Sequence, residues 1–111
     1  MSILDSNKMV KYRVVGTTHK NPNGTSRQEI ISHLTKASKI TLVREPDNEY
    51  DKNAIAVYAN EKQIGYLSSA YAATFAPKID AGRRFEVNVD TIGSRTSKKN
   101  GQSWYISIEI R

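Results

Sequence analysis

Residues 44–57 read REPDNEYDKNAIAV and residues 63–67 read QIGYL. Most of the architecture follows from these two stretches. Ala54 to Tyr58 is short, apolar and rich in β-formers, so it reads as a strand. Asn60, Glu61 and Lys62 look like a hairpin turn, with Gln63 to Leu67 as the return strand. Upstream, Lys39 to Val43 is another strand, and a polar segment rich in turn formers, Glu45 to Asn53, separates it from Ala54. Farther out, Val10 to Val14 alternates apolar and charged residues, the period of a half-buried strand. His19 to Gly24 is a loop punctuated by Pro and Gly. Ser26 with Glu29 makes a capping box, with Thr25 and Gln28 as an alternative frame. Ile30, Ile31 and Leu34 then form one stripe, which predicts a short amphipathic helix over residues 26–36.

Downstream, Ser68 or Ser69 can cap a second helix that carries Ala72, Phe75 and Ile79 on one face. Pro77 is expected to kink it or end its first half, and Gly82 is a natural stop. Residues 84–90 and 104–110 both alternate cleanly and read as long strands joined by a basic, turn-rich loop, Arg95 to Gly101. The order is strand, helix, three strands, helix, two strands. Six short strands on a small core need their edges managed, and closure is the usual remedy. The expected fold is therefore mainly β: a small six-stranded, mostly antiparallel β-barrel with two short helices, with an open α+β sheet as the runner-up. Residues 10–111 form one domain in this reading, and residues 1–9 an N-terminal extension.

At 111 residues the chain suits a single domain with one modest core. It has no cysteine, which excludes disulfides, zinc ribbons and thiol catalysis. The longest apolar run, Ala54 to Ala59, is far too short to span a bilayer, and Met1 to Met9 has no signal-type apolar stretch, so a cytoplasmic protein without membrane contact is expected. Lys and Arg number 17 against 11 Asp and Glu, a net charge of +6, which makes an acidic partner such as nucleic acid the first to consider. The charge is uneven. Arg44 to Asp51 holds four acids, Glu45, Asp47, Glu49 and Asp51, against one base; outside it 16 bases face 7 acids, or +9. Simple phosphate clamping does not call for an acidic loop in a basic chain. A solvated turn explains it, and so does a carboxylate wanted inside a positive field.

Several chemistries find no support. His19 and His33 make no metal spacing, and Gly16, Gly65 and Gly93 are isolated rather than gathered in a phosphate-cradling loop. Asp47 to Asp51 resembles the start of a calcium loop, but Lys52 and Tyr58 occupy its sixth and twelfth positions where Gly and Glu belong. A magnesium nuclease built on Asp47, Glu49 and Asp51 lacks an identifiable further acid. No cofactor is expected, and the chain is not expected to be an enzyme.

Residues 44–57 and 63–67, together with Val15 and Gly16 of the first strand, resemble the HIRAN domain, and the resemblance spans roughly residues 10–111. Members occur fused to helicases and nucleases and as free-standing bacterial proteins. The resemblance implies a small barrel similar to an OB or SH3-like fold, and binding of single-stranded DNA at its free 3′ end. It places Asp47, Asn48, Tyr50 and Asp51 at pocket positions, and Tyr66 where a histidine lies near the backbone phosphate. Three places depart from the pattern. An Arg–Tyr pair after the first strand is here Thr18 and His19, a phosphate-contacting lysine of the second helix is Ser69, and a phenylalanine near the end of the fifth strand is Ile92. A helicase or nuclease is the implied protein partner.

Such residues suit that task. A 3′-hydroxyl is a donor and an ionised carboxylate an acceptor, so Asp51, or Asp47, would accept it in a charge-assisted bond. The same carboxylate repels a 3′-phosphate, which separates ends by attraction and by repulsion. Tyr50 offers a stacking face, and Asn48 can both donate and accept. Plain structural roles compete: Asp51 and Asn53 can bond their own backbone, and Pro46 can merely set a turn. Trp104 and Tyr105 point to opposite faces of one strand, so one is core and the other outward. Lys11, Arg13, Lys20, Arg44, Arg95, Lys98 and Lys99 are candidate phosphate neighbours. The rival functions are a small-barrel peptide-binding module without DNA binding and a weak metal-dependent nuclease using Asp47 and Asp51.

Overall fold

A computed structural model describes residues 10–99 and 101–111; the expected extension, residues 1–9, lies outside them. The elements are β1 (Val10–Arg13), α1 (Arg27–Ser32), β2 (Ile40–Arg44), β3 (Ile55–Ala59), β4 (Lys62–Tyr66), α2 (Ser69–Asp80), β5 (Val87–Ser97) and β6 (Gly101–Ile110). The strands form two three-stranded antiparallel sheets, β1–β6–β5 and β2–β3–β4. One bridge joins them: Val15 and Tyr66 exchange backbone N–H···O bonds, each of 2.9 Å. The six strands and two helices match expectation. Their hydrogen bonding, among the described residues, defines two linked sheets and not one closed ladder. No helix among those residues is long and apolar enough to cross a membrane.

The β3–β4 hairpin turns in two residues, Asn60 (φ 49°) and Glu61 (φ 72°). Positive φ at both central positions gives the backbone twist that a tight hairpin needs. The Asn60 side chain accepts from the Lys39 N–H at 2.9 Å and its own N–H donates to the Lys39 carbonyl at 2.8 Å, which fixes the turn against the start of β2.

Ser26 caps α1, its hydroxyl accepting from the Glu29 N–H at 3.1 Å. The helix is shorter than the apolar stripe predicts. The Ser32 hydroxyl donates to the Glu29 carbonyl, and Thr35 and Ser38 close a separate turn, so polar side chains compete for backbone after the first turns. In contrast, α2 runs through Pro77 to Asp80. Pro77 sits in the last turn, where its missing N–H leaves only the Ala73 carbonyl without a helical donor, and Ala73 is exposed to water. Gly82 at φ 95° ends the helix as expected.

The largest difference lies in β5 and β6. The stretch expected as a basic loop continues the ladder, with Arg95 opposite Ser103, Thr96 opposite Gln102 and Ser97 opposite Gly101. These pairs are polar on both faces and carry no apolar alternation, so periodicity alone ends the strands too early. Trp104 packs against the core and Tyr105 faces outward.

Ile31, Ile55, Val57, Ile64, Ile106 and Ile108 are fully buried and draw on both sheets and α1. Helix α2 docks through aromatic edges: Tyr12 lies 4.5 Å from Tyr71 and 5.6 Å from Phe75, and Phe75 lies 5.0 Å from Phe85, all edge to face. Gly65 makes the junction of the sheets possible. A Cβ there would lie 2.3 Å from the Val15 carbonyl oxygen and 2.7 Å from Val14 Cγ1. Gly65→Ala is therefore expected to cost about 1–3 kcal/mol by overpacking, read as a lowered urea midpoint with an unchanged slope.

Candidate functional site

The polar segment between β2 and β3 is folded by its own side chains. Asn48 Oδ1 accepts from the Tyr50 N–H at 2.9 Å and the Asp51 N–H at 3.1 Å. Its amide nitrogen donates to Glu45 Oε1 at 3.0 Å. Asp51 Oδ1 accepts from the Asn53 N–H at 2.9 Å. The turn-holding roles anticipated for this stretch are thus real, yet they leave groups over. Asp51 is half-buried, and its second oxygen has no hydrogen-bond partner among the described residues. Tyr50 is 93% exposed. A hollow of about 460 Å³ is lined by Pro46, Asp47, Asn48, Glu49, Tyr50, Asp51 and Lys52.

Arg44 anchors this loop at its base. Its Nε and Nη2 donate to the two Asp80 oxygens at 2.9 and 3.1 Å, and its Nη1 donates to the Ala54 carbonyl at 2.8 Å. The guanidinium ties β2 to the end of α2 instead of standing free for a phosphate. The hydrogen bond from Arg44 holds the Asp80 carboxyl below its ordinary value, and that bond likewise raises Arg44.

The loop continues into a second group. Glu45 Oε1 also accepts the Tyr66 hydroxyl at 2.9 Å. Burial pushes the Tyr66 phenol up, Glu45 adds to this, and Gln63 and Arg27 pull it back. The Arg27 guanidinium carbon lies 5.6 Å from the Tyr66 ring centre. Arg27 is 6% exposed, donating from Nε to Asn21 at 2.7 Å and from Nη1 to the Gly16 carbonyl at 2.9 Å. His19 reaches the same spot: a Cβ on Gly16 would lie 3.5 Å from Arg27 Nη1 and 3.9 Å from both the His19 and Tyr66 rings. A cleft of about 1090 Å³ opens between α1 and the β3–β4 hairpin, with Arg27, Glu45 and Tyr66 on its wall.

The structure therefore brings Asp47, Asn48, Tyr50 and Asp51 around one hollow, and links Asn48 through Glu45 to Tyr66, while His19 lies near Gly16 without a bond to this chain of contacts among the described residues. Thr18 is exposed in the turn that follows Gly16, and Ser69 is exposed at the first turn of α2. Ile92 packs against the core opposite Ile106, five residues before β5 ends. Glu45 and Arg27 were not singled out by the sequence. Glu45 looks like one more acid of the loop. Arg27 carries a faint signal: a cation at the first position of a helix opposes the helix dipole, so a tertiary contact must hold it there. Among the described residues, no three His, Asp or Glu side chains gather into a metal-binding group.

The sequence model of the HIRAN domain matches residues 7–109. The chain belongs to the HIRAN domain family. Among solved structures, the HIRAN domain of human HLTF is similar, with a TM-score of 0.63, 23% identity, and coverage of 92% of this chain and 74% of that one. A protein from Lactobacillus plantarum is similar too, with a TM-score of 0.63, 20% identity, and coverage of 93% of this chain and 94% of that one. At these identities the likeness is one of fold. No match to a curated protein was found.

Two outcomes test this geometry. Asn48→Ala removes three loop bonds and is expected to cost about 1–3 kcal/mol, with faster hydrogen exchange at the Tyr50 and Asp51 amides. The depressed Asp80 carboxyl favours the ionised folded state, so its contribution is present above the ordinary value of 3.8 and is lost as pH falls through the folded value. The urea-midpoint gap between wild type and Asp80→Asn should hold steady at neutral pH and close in acid.

Proposed function

We propose that this HIRAN domain is a non-catalytic, cytoplasmic DNA-binding module that takes the free 3′-hydroxyl end of single-stranded DNA in the hollow of residues 46–52. Family membership supports the DNA-binding part of this reading. One observation carries the finer part. Asp51 has one carboxylate oxygen fixed on its own loop and the other without a hydrogen-bond partner among the described residues, beside a tyrosine ring that is almost wholly exposed.

That arrangement is prepared for a donor. The fixed oxygen and the two N–H bonds to Asn48 orient Asp51 before a ligand arrives, so little ordering remains to be done on binding. The free oxygen accepts a terminal hydroxyl and repels a terminal phosphate. Tyr50 stacks on the last base, an interaction worth about 1–3 kcal/mol. Tyr66 and His19 border the strand's path, and Arg44 acts by holding the loop and not by touching phosphate. Thr18, Ser69 and Ile92 offer weaker contacts than Arg, Lys and Phe would, so affinity rests more on the loop itself. Such a module would place itself, or a helicase or nuclease partner, at repair or replication intermediates.

Fluorescence anisotropy with matched short strands tests this. The 3′-hydroxyl strand should bind more tightly than the 3′-phosphate strand, and Asp51→Ala should weaken the former about tenfold or more and narrow the difference. Equal binding of the two wild-type strands overturns end recognition. No oligonucleotide binding at low salt would favour a peptide-binding module.

A further inference from the structure

The β5–β6 hairpin takes no part in the hollow, which is lined by residues 46–52 alone, so Arg95, Lys98 and Lys99, candidate phosphate neighbours by sequence, stand outside the end site. Gly93 to Ser97 pair with Tyr105 to Gly101 as a two-stranded ribbon of five ladder pairs. At about 3.4 Å per residue it is roughly 14 Å long. From Thr91 to Ile108 the sequence contains Arg95, Lys98 and Lys99 and no acid. All three cations are exposed. Arg13 of β1 joins them on the outward face. Its guanidinium lies 4.4 Å from the Tyr105 ring centre, and that of Arg95 lies 5.3 Å from it. Neither arginine has a carboxylate within ion-pair distance among the described residues, whereas Lys11, on the same face, is paired with Asp90 at 3.3 Å. Residues that share this face include the hydroxyl-bearing Thr91, Ser103 and Ser107, and Glu109, which lies opposite Lys11 at the end of the sheet away from the hairpin tip.

We infer that the β5–β6 ribbon and the Arg13–Tyr105–Arg95 cluster form a second DNA-binding surface, which grips the phosphates of a duplex. Charge complementarity names a polyanion. The lack of an available ring selects a duplex over a single strand. Surfaces that hold single strands offer aromatic faces to the bases. Here Tyr105 lies across Gly93, where a Cβ would meet its ring at 2.4 Å, and two guanidiniums crowd it. Trp104 is turned into the core. What the surface presents is guanidinium, ammonium and hydroxyl, the groups that contact backbone phosphates. A two-stranded ribbon also fits a major groove about 12 Å wide and 8.5 Å deep. The Tyr105 ring attracts both guanidiniums without neutralising their charge.

The test uses the full chain and a blunt duplex of about two helical turns with both 3′ ends phosphorylated, so that no free 3′-hydroxyl is present. Wild type should bind this duplex at low salt. The triple variant Arg95→Glu, Lys98→Glu, Lys99→Glu should bind it about tenfold or more weakly, with a log–log salt slope shallower by about 0.9 for each phosphate that is no longer neutralised. Its thermal midpoint and its affinity for a 3′-hydroxyl trinucleotide should stay as in wild type. Lys98→Ala with Lys99→Ala, which removes charge without adding repulsion, should show a smaller loss of affinity. Failure of wild type to bind the blocked duplex, or a triple variant that binds it as tightly as wild type, overturns the inference. Loss of the trinucleotide in parallel overturns it too. Equal binding of 3′-hydroxyl and 3′-phosphate single strands would refute the end site and leave this measurement standing.

Discussion

Two backbone hydrogen bonds between Val15 and Tyr66 hold the molecule's halves together. They form because residue 65 has no side chain, so that the end of β4 can lie against the chain leaving β1. The same contact sets the site. It delivers the Tyr66 hydroxyl to Glu45, and Glu45 holds the Asn48 amide that pins the loop. A single close approach thus connects sheet assembly to the posture of an acidic loop some twenty residues away in sequence.

The loop uses chemically like residues in different ways. Asn48 and the first oxygen of Asp51 are spent on backbone N–H groups. Arg44 is spent on Asp80. What remains outward is one Asp51 oxygen, the exposed Asp47, Glu49 and Lys52, and a tyrosine ring. The loop is locally acidic, and three of the chain's 17 basic residues, Arg95, Lys98 and Lys99, lie apart from it on the long hairpin.

The hairpin of residues 54–67 is legible because an apolar run, a turn-forming asparagine and a return strand agree there. Ser26 was legible as a cap for the same reason, since its hydroxyl and Glu29 satisfy a local rule. Helix α1 was overestimated because its apolar stripe continues through Leu34, which packs against the core after the helix has ended. The outer half of β5 and β6 left no periodic trace, being polar on both faces, and only pairing reveals it. The candidate site is only partly legible. Turn chemistry and family resemblance both point to residues 47–51, but nothing local to Glu45 or Arg27 announces a partner, because each acts across the fold.

Gln28 adds a last feature. Its amide nitrogen donates to the Trp104 carbonyl at 2.9 Å, and its amide oxygen accepts the Trp104 N–H at 2.6 Å, so one side chain occupies both backbone groups of β6 just past the point where β1 stops covering it. A bare strand edge at that place would recruit a stray strand from a neighbouring copy. The glutamine behaves as a one-residue counterfeit strand, closing both backbone groups of Trp104 on the side that β1 leaves open.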